Sequence, residues 1–432
     1  MKKINNLLIL SLIILSIFML TSCKQEVEEV FTKMPVMHIN LDKDYPLKNI
    51  NREDYKKATI SLTNLPDEYM LEEVGAEFRG RGHGSWGYSK KGYKIKFNDK
   101  QGLFGLSENK HWVIVAGGHD DSLIRSNLAY TIVNDVLDNI KYQTAVYEIE
   151  VYINNSYHGV YSLFEQIRAD KGRVDINSKF NELDTGYLIE YDAYAEAEGI
   201  KDIETFTVPG LRYHFLIKGP KMADYEEKGL TEEEAKAQNA YIRDYVREVY
   251  AALFKKDQAK FNELADAKSF IDMYIIHELF KNSDTGWSSF YLYKPKGDKL
   301  YAGPAWDFDL SSASREHKNR GDYGYSGFYV SGKASGSAYD ASNFTSSELY
   351  ISLMEQSWFV DLFKERFLEV SDAIKISIEN YYNKISTEDY IAAFQRDAER
   401  WTKSSNLWER EQRTLKYWLN KRIDWLKEWC EE

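Results

Sequence analysis

Apolar and polar residues alternate in short runs over the first half of the chain, the period-two pattern of half-buried strands. HINLD (38–42), ATISLTNL (58–65) and VGAEFRG (74–80) read as strands. GYKIKFND (92–99) alternates strictly, with Tyr93, Ile95 and Phe97 on one face and Lys94 and Lys96 on the other. TAVYEIEVYINNSYHGVYSLFEQI (144–167) predicts a hairpin turning at Asn154-Asn155-Ser156, and GYLIEYD (186–192) predicts another strand. One helix breaks the run. Leu123, Ile124, Leu128, Ile132 and Val136 fall at helical spacing within 121–138, after Asp120 or Ser122 as a cap.

Beyond Pro220 the period changes. EEKGLTEEEAKAQNAYIRDYVREVYAALF predicts a helix with an apolar stripe through Tyr241, Tyr245 and Tyr250, and SFIDMYIIHELFK (269–281) predicts a second. Residues 287–310 then read as a β-hairpin turning at Gly297-Asp298. Residues 311–347 are rich in Gly, Ser and Ala without a period, and so long a loop is expected to be a lid or binding loop. Leu415, Trp418, Leu419, Ile423, Leu426 and Trp429 form one stripe, the mark of a terminal helix that seals the core. The expected class is α+β: a strand-rich part over about 35–215 and a helix-rich part over about 216–432.

The first 22 residues stand apart. Lys2 and Lys3 precede an apolar run at 7–20, too short for a spanning helix and suited to a secretion signal. The run closes on Leu20-Thr21-Ser22-Cys23, which resembles a bacterial lipobox. The expectation is a lipoprotein signal peptide at 1–22, lipidation of Cys23 and a tether at 23–34. Such a protein is held at the membrane by its lipid, extracytoplasmic or at the cell surface. Cys430 is the one other cysteine, so lipidation of Cys23 leaves no disulfide, and a CxxC metal site is excluded.

Composition narrows the partners. With 432 residues, 43% of them hydrophobic, the chain can build a sizeable core. It carries 56 basic and 68 acidic residues, a net charge of −12. That balance argues against a general nucleic-acid binder, which needs a basic surface to displace counterions. A local basic cleft stays compatible with it.

Two clusters carry candidate chemistry. Arg79-Gly80-Arg81-Gly82-His83-Gly84-Ser85-Trp86-Gly87 lies between two strands, where small residues let backbone amides approach an anion and the arginines add charge. It is neither a Walker loop nor a dinucleotide fingerprint, and a tight connection would look the same. Lys90, Lys91 and Lys94 follow within ten residues. The second cluster is acidic. Asp307 and Asp309 of WDFD are expected on one side of an extended strand in an apolar setting, where burial demands a divalent cation or donors. Asp284 of KNSD lies one hairpin earlier. Glu165 ends an apolar strand, placed to pair with a lysine of the 90–96 segment. No histidine pair has zinc-hydrolase spacing, and there is no GxSxG elbow.

Taken in order, six blocks resemble the CotH kinase family of atypical protein kinases. They are RGRGHGSWGYSKKGYKIKF, HWVIVAGGHDDSLIRSNLAY, VYINNSYHGVYSLFEQI, GYLIEYD, FIDMYIIHELFKNSD and GPAWDFDL, spread over about 35–310. The resemblance implies a remote protein-kinase-like, two-lobed fold that transfers the γ-phosphoryl of ATP to Ser or Thr of a protein with Mg²⁺ or Mn²⁺. It implies that Asp284 is the catalytic-loop aspartate and Asp307 the metal-binding aspartate, with Asn282 and Asp309 as helpers. Lys91 or Lys94 would hold the phosphates, Arg81 and Ser85 belong to the glycine run that covers them, and Glu165 is an ion-pair partner or part of the nucleotide pocket.

Two other readings are open on the sequence. One is a non-catalytic surface module for glycan or protein, for which Tyr323, Tyr325, Phe328 and Tyr329 among glycines would serve as stacking residues. The other is a glycoside hydrolase working through Asp284 with Asp307 or Asp309.

Overall fold

The computed structural model describes residues 33–42, 45–201, 203–315, 324–332 and 347–432. The segment ending at Cys23 and the tether up to residue 32 lie outside the described residues. Among those described, no helix is long and apolar enough to cross a membrane.

Seven strands close into a barrel: β1 (Val36–Leu41), β2 (Lys56–Thr63), β3 (Leu71–Arg81), β4 (Gly92–Gln101), β5 (Asn109–Val115), β6 (Val146–Ile153) and β7 (Ser156–Glu165). Their order is β1-β2-β3-β4-β5-β7-β6, closed by a parallel pairing of β1 with β6. Alternation does the folding work here. Ile39, Ile60, Phe78, Ile95, Trp112, Ile149 and Leu163 fill the barrel interior, and the residues between them face outward. On β4, Tyr93, Ile95 and Phe97 point in while Lys94 and Lys96 point out, as the period predicts. The β6–β7 hairpin turns at Asn154 (φ 49°) and Asn155 (φ 61°), a pair of left-handed residues matching strand twist.

A helix, α1 (Arg125–Val136), starts later than its apolar spacing predicts. The Asp120 carboxylate accepts from the Ser122 and Arg125 amides (2.9 and 2.8 Å) and the Ser122 hydroxyl (2.6 Å). That holds 120–124 as a turn, with Leu123 at φ 64°.

A second, antiparallel sheet has the order β12-β11-β8-β10-β9. It comprises β8 (Tyr187–Asp192), β9 (Thr205–Phe206), β10 (His214–Gly219), β11 (Phe290–Lys294) and β12 (Tyr301–Ala302). It draws strands from both sides of residue 215. Around it lie α2 (Ala195–Glu198), α3 (Met222–Glu227), α4 (Glu232–Phe254), α5 (Gln258–Leu264) and α6 (Ala267–Leu279). The chain then runs through α7 (Glu348–Met354), α8 (Ser357–Ile385), α9 (Glu388–Arg400) and α10 (Leu407–Glu431). The whole is mixed α+β, strand-rich in the N-terminal half and helical in the C-terminal half. A capping box between Thr231 and Glu234 starts α4. On α10, Leu415, Trp418, Leu419, Ile423 and Leu426 are buried, so the terminal stripe seals the core as expected.

The long glycine-rich loop is corrected in part. Tyr329 and Val330 are buried in the main core, and Phe328 packs edge-on against Trp425 and Trp429 at 5.4 and 4.7 Å. Tyr329 therefore fills the interior and Phe328 packs against it, rather than awaiting a sugar or peptide, because covering so large an apolar area outweighs exposing it. Tyr325 is 40% exposed, and Tyr323 lies outside the described residues. Residues 324–332 are an anchored segment and not a lid; 316–323 and 333–346 lie outside the described residues.

Candidate functional site

A cleft of about 680 Å³ runs between the outer face of the barrel and the second sheet. Its barrel wall comes from β3, β4 and the glycine-rich turn joining them. Arg79 and Lys94 are direct cross-strand partners, and Arg81 lies opposite Gly92. All three side chains face away from the barrel core and line the cleft, with Ser85 and Arg52. The turn is built on its own glycines. A Cβ on Gly80 would sit 2.2 Å from the Trp86 ring, so glycine is what lets that indole fold underneath. Gly82 adopts φ 103°, with the Ser85 hydroxyl tucked where its Cβ would be.

Lys91 and Lys94, interchangeable in the sequence, part company here. The Lys91 amine donates to the carbonyls of Trp86 (2.5 Å) and Tyr88 (3.1 Å) and lies 4.6 Å over the Trp86 ring. It is spent inside the turn, does not line the cleft, and is corrected as a phosphate ligand. Lys94 does face the cleft. Burial, then Arg79, Arg81 and Lys218, push its amine down to about 7, against an opposing pull from Glu198.

The opposite wall is acidic. At the end of α6 the amide of Lys281 bonds the Glu278 carbonyl (3.0 Å) and that of Asn282 bonds the His277 carbonyl (2.9 Å). This is a Schellman closure with lysine, at φ 46°, in the place usually taken by glycine. It turns the chain into Asn282-Ser283-Asp284. The buried Asn282 side chain accepts from the Asp284 amide (3.1 Å) and donates to the Asp307 carbonyl (2.8 Å), stapling the two acidic loops together. Asn282 itself does not line the cleft; Asp284, Asp307 and Asp309 do.

The strand expected under Asp307 and Asp309 is absent. Regular pairing stops at Ala302, and Asp307 has φ 62°. The loop is held instead by α1: the Tyr130 hydroxyl accepts from the Asp307 amide (3.0 Å) and the Ser126 hydroxyl from the Phe308 amide (3.1 Å). Phe308 is driven into the core between the two aspartates, and that leaves both carboxylates in one cleft. Burial, then the charges of Asp307, Asp284 and Asp120, hold the Asp309 carboxyl well above its ordinary value.

Among the described residues, no group of three or more His, Cys, Asp or Glu side chains forms a metal-holding cluster. Two neighbouring carboxylates, Asp307 and Asp309, still offer the oxygen ligands that Mg²⁺ or Mn²⁺ takes. Mg²⁺ in particular is commonly held by one or two carboxylates and completed by water and substrate phosphates.

Glu165 is displaced from its expected role. It is buried at the end of β7, 3.5 Å from Arg173 and 3.2 Å from the Tyr142 hydroxyl, and burial raises its carboxyl. Its partner is thus an arginine from the returning chain and not a lysine of the 90–96 segment. Gln166 and Ile167, the next two residues, reach the cleft where Glu165 does not.

Other cleft residues escaped the sequence reading. Lys218 on β10 pairs with Glu190 on β8 at 2.6 Å, and Asp192 at the end of β8 is pushed up to about 7 by burial and by Glu190. Their signal was available, because acids and a lone lysine within otherwise apolar buried strands need partners. His83 of the glycine-rich turn stacks on Tyr194 (4.8 Å, 4° between planes) and pairs with Glu198 of α2, which raises its pKa. Nothing local in the sequence announces that contact.

The cleft therefore sets cations on one wall against carboxylates on the other, the arrangement suited to a polyanionic substrate with a bound cation. The chain belongs to the CotH kinase protein family. That family's model matches residues 77–426, which take in both walls of the cleft. No curated protein matches the chain. Membership of the CotH kinase family points to an atypical kinase-like activity. The CotH-type blocks recognised in the sequence converge here: RGRGHGSW and GYKIKF supply the cationic wall, and KNSD and WDFD the acidic one.

Proposed function

We propose that this chain is an atypical protein kinase that moves the γ-phosphoryl group of ATP to a Ser or Thr hydroxyl of an extracytoplasmic protein, with Mg²⁺ or Mn²⁺. The observation that carries the reading is the cleft in which Lys94, Arg79 and Arg81 face Asp284, Asp307 and Asp309. The acceptor oxygen attacks the γ-phosphorus while its bond to the bridging oxygen breaks, ADP leaves, and the hydroxyl proton passes to the Asp284 carboxylate. Lys94, Arg79 and Arg81 offset charge on the phosphates, and Asn282 keeps Asp284 and Asp307 in one frame. Asp307 and Asp309 hold the divalent cation, which when bound neutralises phosphate oxygens. The surface-module reading loses two of its stacking residues, since Tyr329 is buried in the core and Phe328 packs against it.

Incubation of residues 24–432 with γ-labelled ATP, Mg²⁺ or Mn²⁺ and a Ser-rich acceptor tests the reading. Label in acceptor or enzyme is expected, lost in Asp284→Ala while nucleotide binding persists. Asp307→Ala should lose divalent-dependent nucleotide binding by calorimetry. Absence of both label and nucleotide binding in the parent rejects the kinase reading. The lipobox-like stretch supports the extracytoplasmic location, and labelled palmitate should enter the intact chain in cells but not Cys23→Ala.

A further inference from the structure

Beneath the acidic wall lies a polar cluster that touches neither side of the cleft. Glu278, in the last turn of α6, and Arg422, in the middle of α10, are both 0% exposed and pair at 2.7 Å. The Glu278 carboxylate also accepts from the backbone amides of Tyr329 (2.7 Å), Val330 (2.8 Å) and Ser331 (3.4 Å). The Arg422 guanidinium donates to the carbonyls of Tyr325 (2.9 Å), Gly327 (2.7 Å) and Glu278 itself (3.2 Å). One helix turn along, the Lys281 amine donates to the Ser326 carbonyl at 2.7 Å. Phe328, between these polar ties, packs against Trp425 and Trp429 of α10.

Three segments far apart in sequence thus meet at the end of α6. A fully buried ion pair is a poor way to gain stability, because desolvation offsets much of its attraction and an apolar pair of similar volume often does as well or better. A left-handed lysine at 281 likewise costs about 1–2 kcal/mol relative to a right-handed backbone. Both costs fall at the four residues that precede Asn282 and Asp284. The carbonyl of Glu278 accepts from Arg422 and from the Lys281 amide, so the guanidinium bonds directly to the closure that aims the acidic turn. Stability does not require so many directional bonds at this one point; aiming a side chain does.

We propose that Glu278 and Arg422 are positioning residues: with residues 325–331 they clamp the end of α6 and set the turn carrying Asn282 and Asp284 in register with Asp307. The inference rests on the kinase reading for its kinetic consequence, but its structural consequence is separate. A misplacement of about 1 Å at a reacting group costs on the order of a hundredfold in rate. Loss of the clamp is therefore expected to lower kcat by about that factor while nucleotide affinity, set by the barrel wall and Asp307, stays within about twofold.

The test uses Glu278→Gln, and Glu278→Met/Arg422→Met as the variant expected to fold where a single change leaves an unpaired buried charge. Folding is checked by circular dichroism and thermal melting, transfer by kcat and KM, nucleotide binding by calorimetry. Hydrogen exchange is followed at the amides of Trp287 and Ser288, which bond the Asp284 carbonyl at 2.8 and 3.0 Å. A folded double variant with kcat down about a hundredfold, nucleotide affinity retained and faster exchange at those amides supports the clamp. A folded double variant with kcat within about threefold of the parent overturns it. If the parent transfers no phosphoryl group, the kinase reading fails and exchange alone decides: unchanged protection at Trp287 and Ser288 overturns the clamp, and faster exchange sustains it.

Discussion

Lys94 stands on the outer face of β4 with Arg79 across the ladder, and Arg81 and Lys218 also line its cleft. An ammonium group that loses water among three cations gives up its proton early, which is why it is held down to about 7. The sign of two pH effects follows. A bound polyanion favours the charged amine, so nucleotide affinity should fall as pH rises above 7. Stability should move the other way. Between about pH 7 and the ordinary lysine value of 10.5 the unfolded chain holds this proton and the folded one does not, so folding becomes more favourable as pH rises across that window. Lys94→Met should remove both slopes, weaken nucleotide binding at pH 7 and raise the melting temperature at pH 6. Calorimetric affinities of parent and variant that run parallel from pH 7.5 to 9.5 would show that Lys94 is not the group responsible. No sequence pattern predicts this titration, because its causes come from β3 and β10 as well as β4.

The glycine-rich turn shows how far one element can be read in advance. Its glycines look alike in the sequence, and the motif was legible as a close-approach loop. The fold separates them. Gly80 and Gly82 are occupied from below by Trp86 and Ser85, whereas a Cβ on Gly84 or Gly87 would meet nothing within 4 Å. Gly80→Ala is therefore expected to force the indole aside at about 1–3 kcal/mol, seen as a lower denaturation midpoint and red-shifted tryptophan emission. Gly84→Ala should keep the parent's stability within about 0.5 kcal/mol and yet weaken nucleotide binding, since Gly84 lines the cleft. Equal nucleotide affinity in Gly84→Ala and parent would mean that the phosphates do not approach the turn there. The same contrast explains Lys91 and Glu165. Each has the right residue type at the right place in the chain, and each is taken by a local partner, the Trp86 carbonyl or Arg173.

At the scale of the molecule, the barrel is fastened to the C-terminal helices by ion pairs that cross between them. Glu148 and Glu150 of β6 meet Lys384 of α8 (2.8 Å) and Arg396 of α9 (2.7 Å). Lys90, beside the glycine-rich turn, meets Asp397 of α9 at 2.6 Å in a buried setting, and the same carboxylate accepts the Val160 amide at 2.9 Å. Gly159 makes room for it, since a Cβ there would lie 2.2 Å from the Asp397 oxygen. Asp397→Ala leaves Lys90 buried without its counter-charge and should cost about 3–5 kcal/mol in urea unfolding. Lys90→Met/Asp397→Leu should recover most of that loss. If the double variant is as unstable as the single one, the carboxylate's bond to Val160, and not the unpaired lysine, carries the effect.

Local order is what the sequence by itself determined: the alternating strands of the barrel, the Asn154-Asn155 turn, the apolar stripe of α10 and the glycine-rich connection between two strands. Those features depend on neighbours two to four residues away, so the chain states them directly. Only the tertiary structure decided that the barrel closes through β1 and β6, and that one sheet takes strands from both halves. It also decided that Asp307 and Asp309 share a cleft through a left-handed turn rather than a strand, and that Tyr329 belongs to the core with Phe328 packed against it. Each of these depends on which distant surface arrives to bury or pair a group, and that contact is set by packing between segments about a hundred residues or more apart.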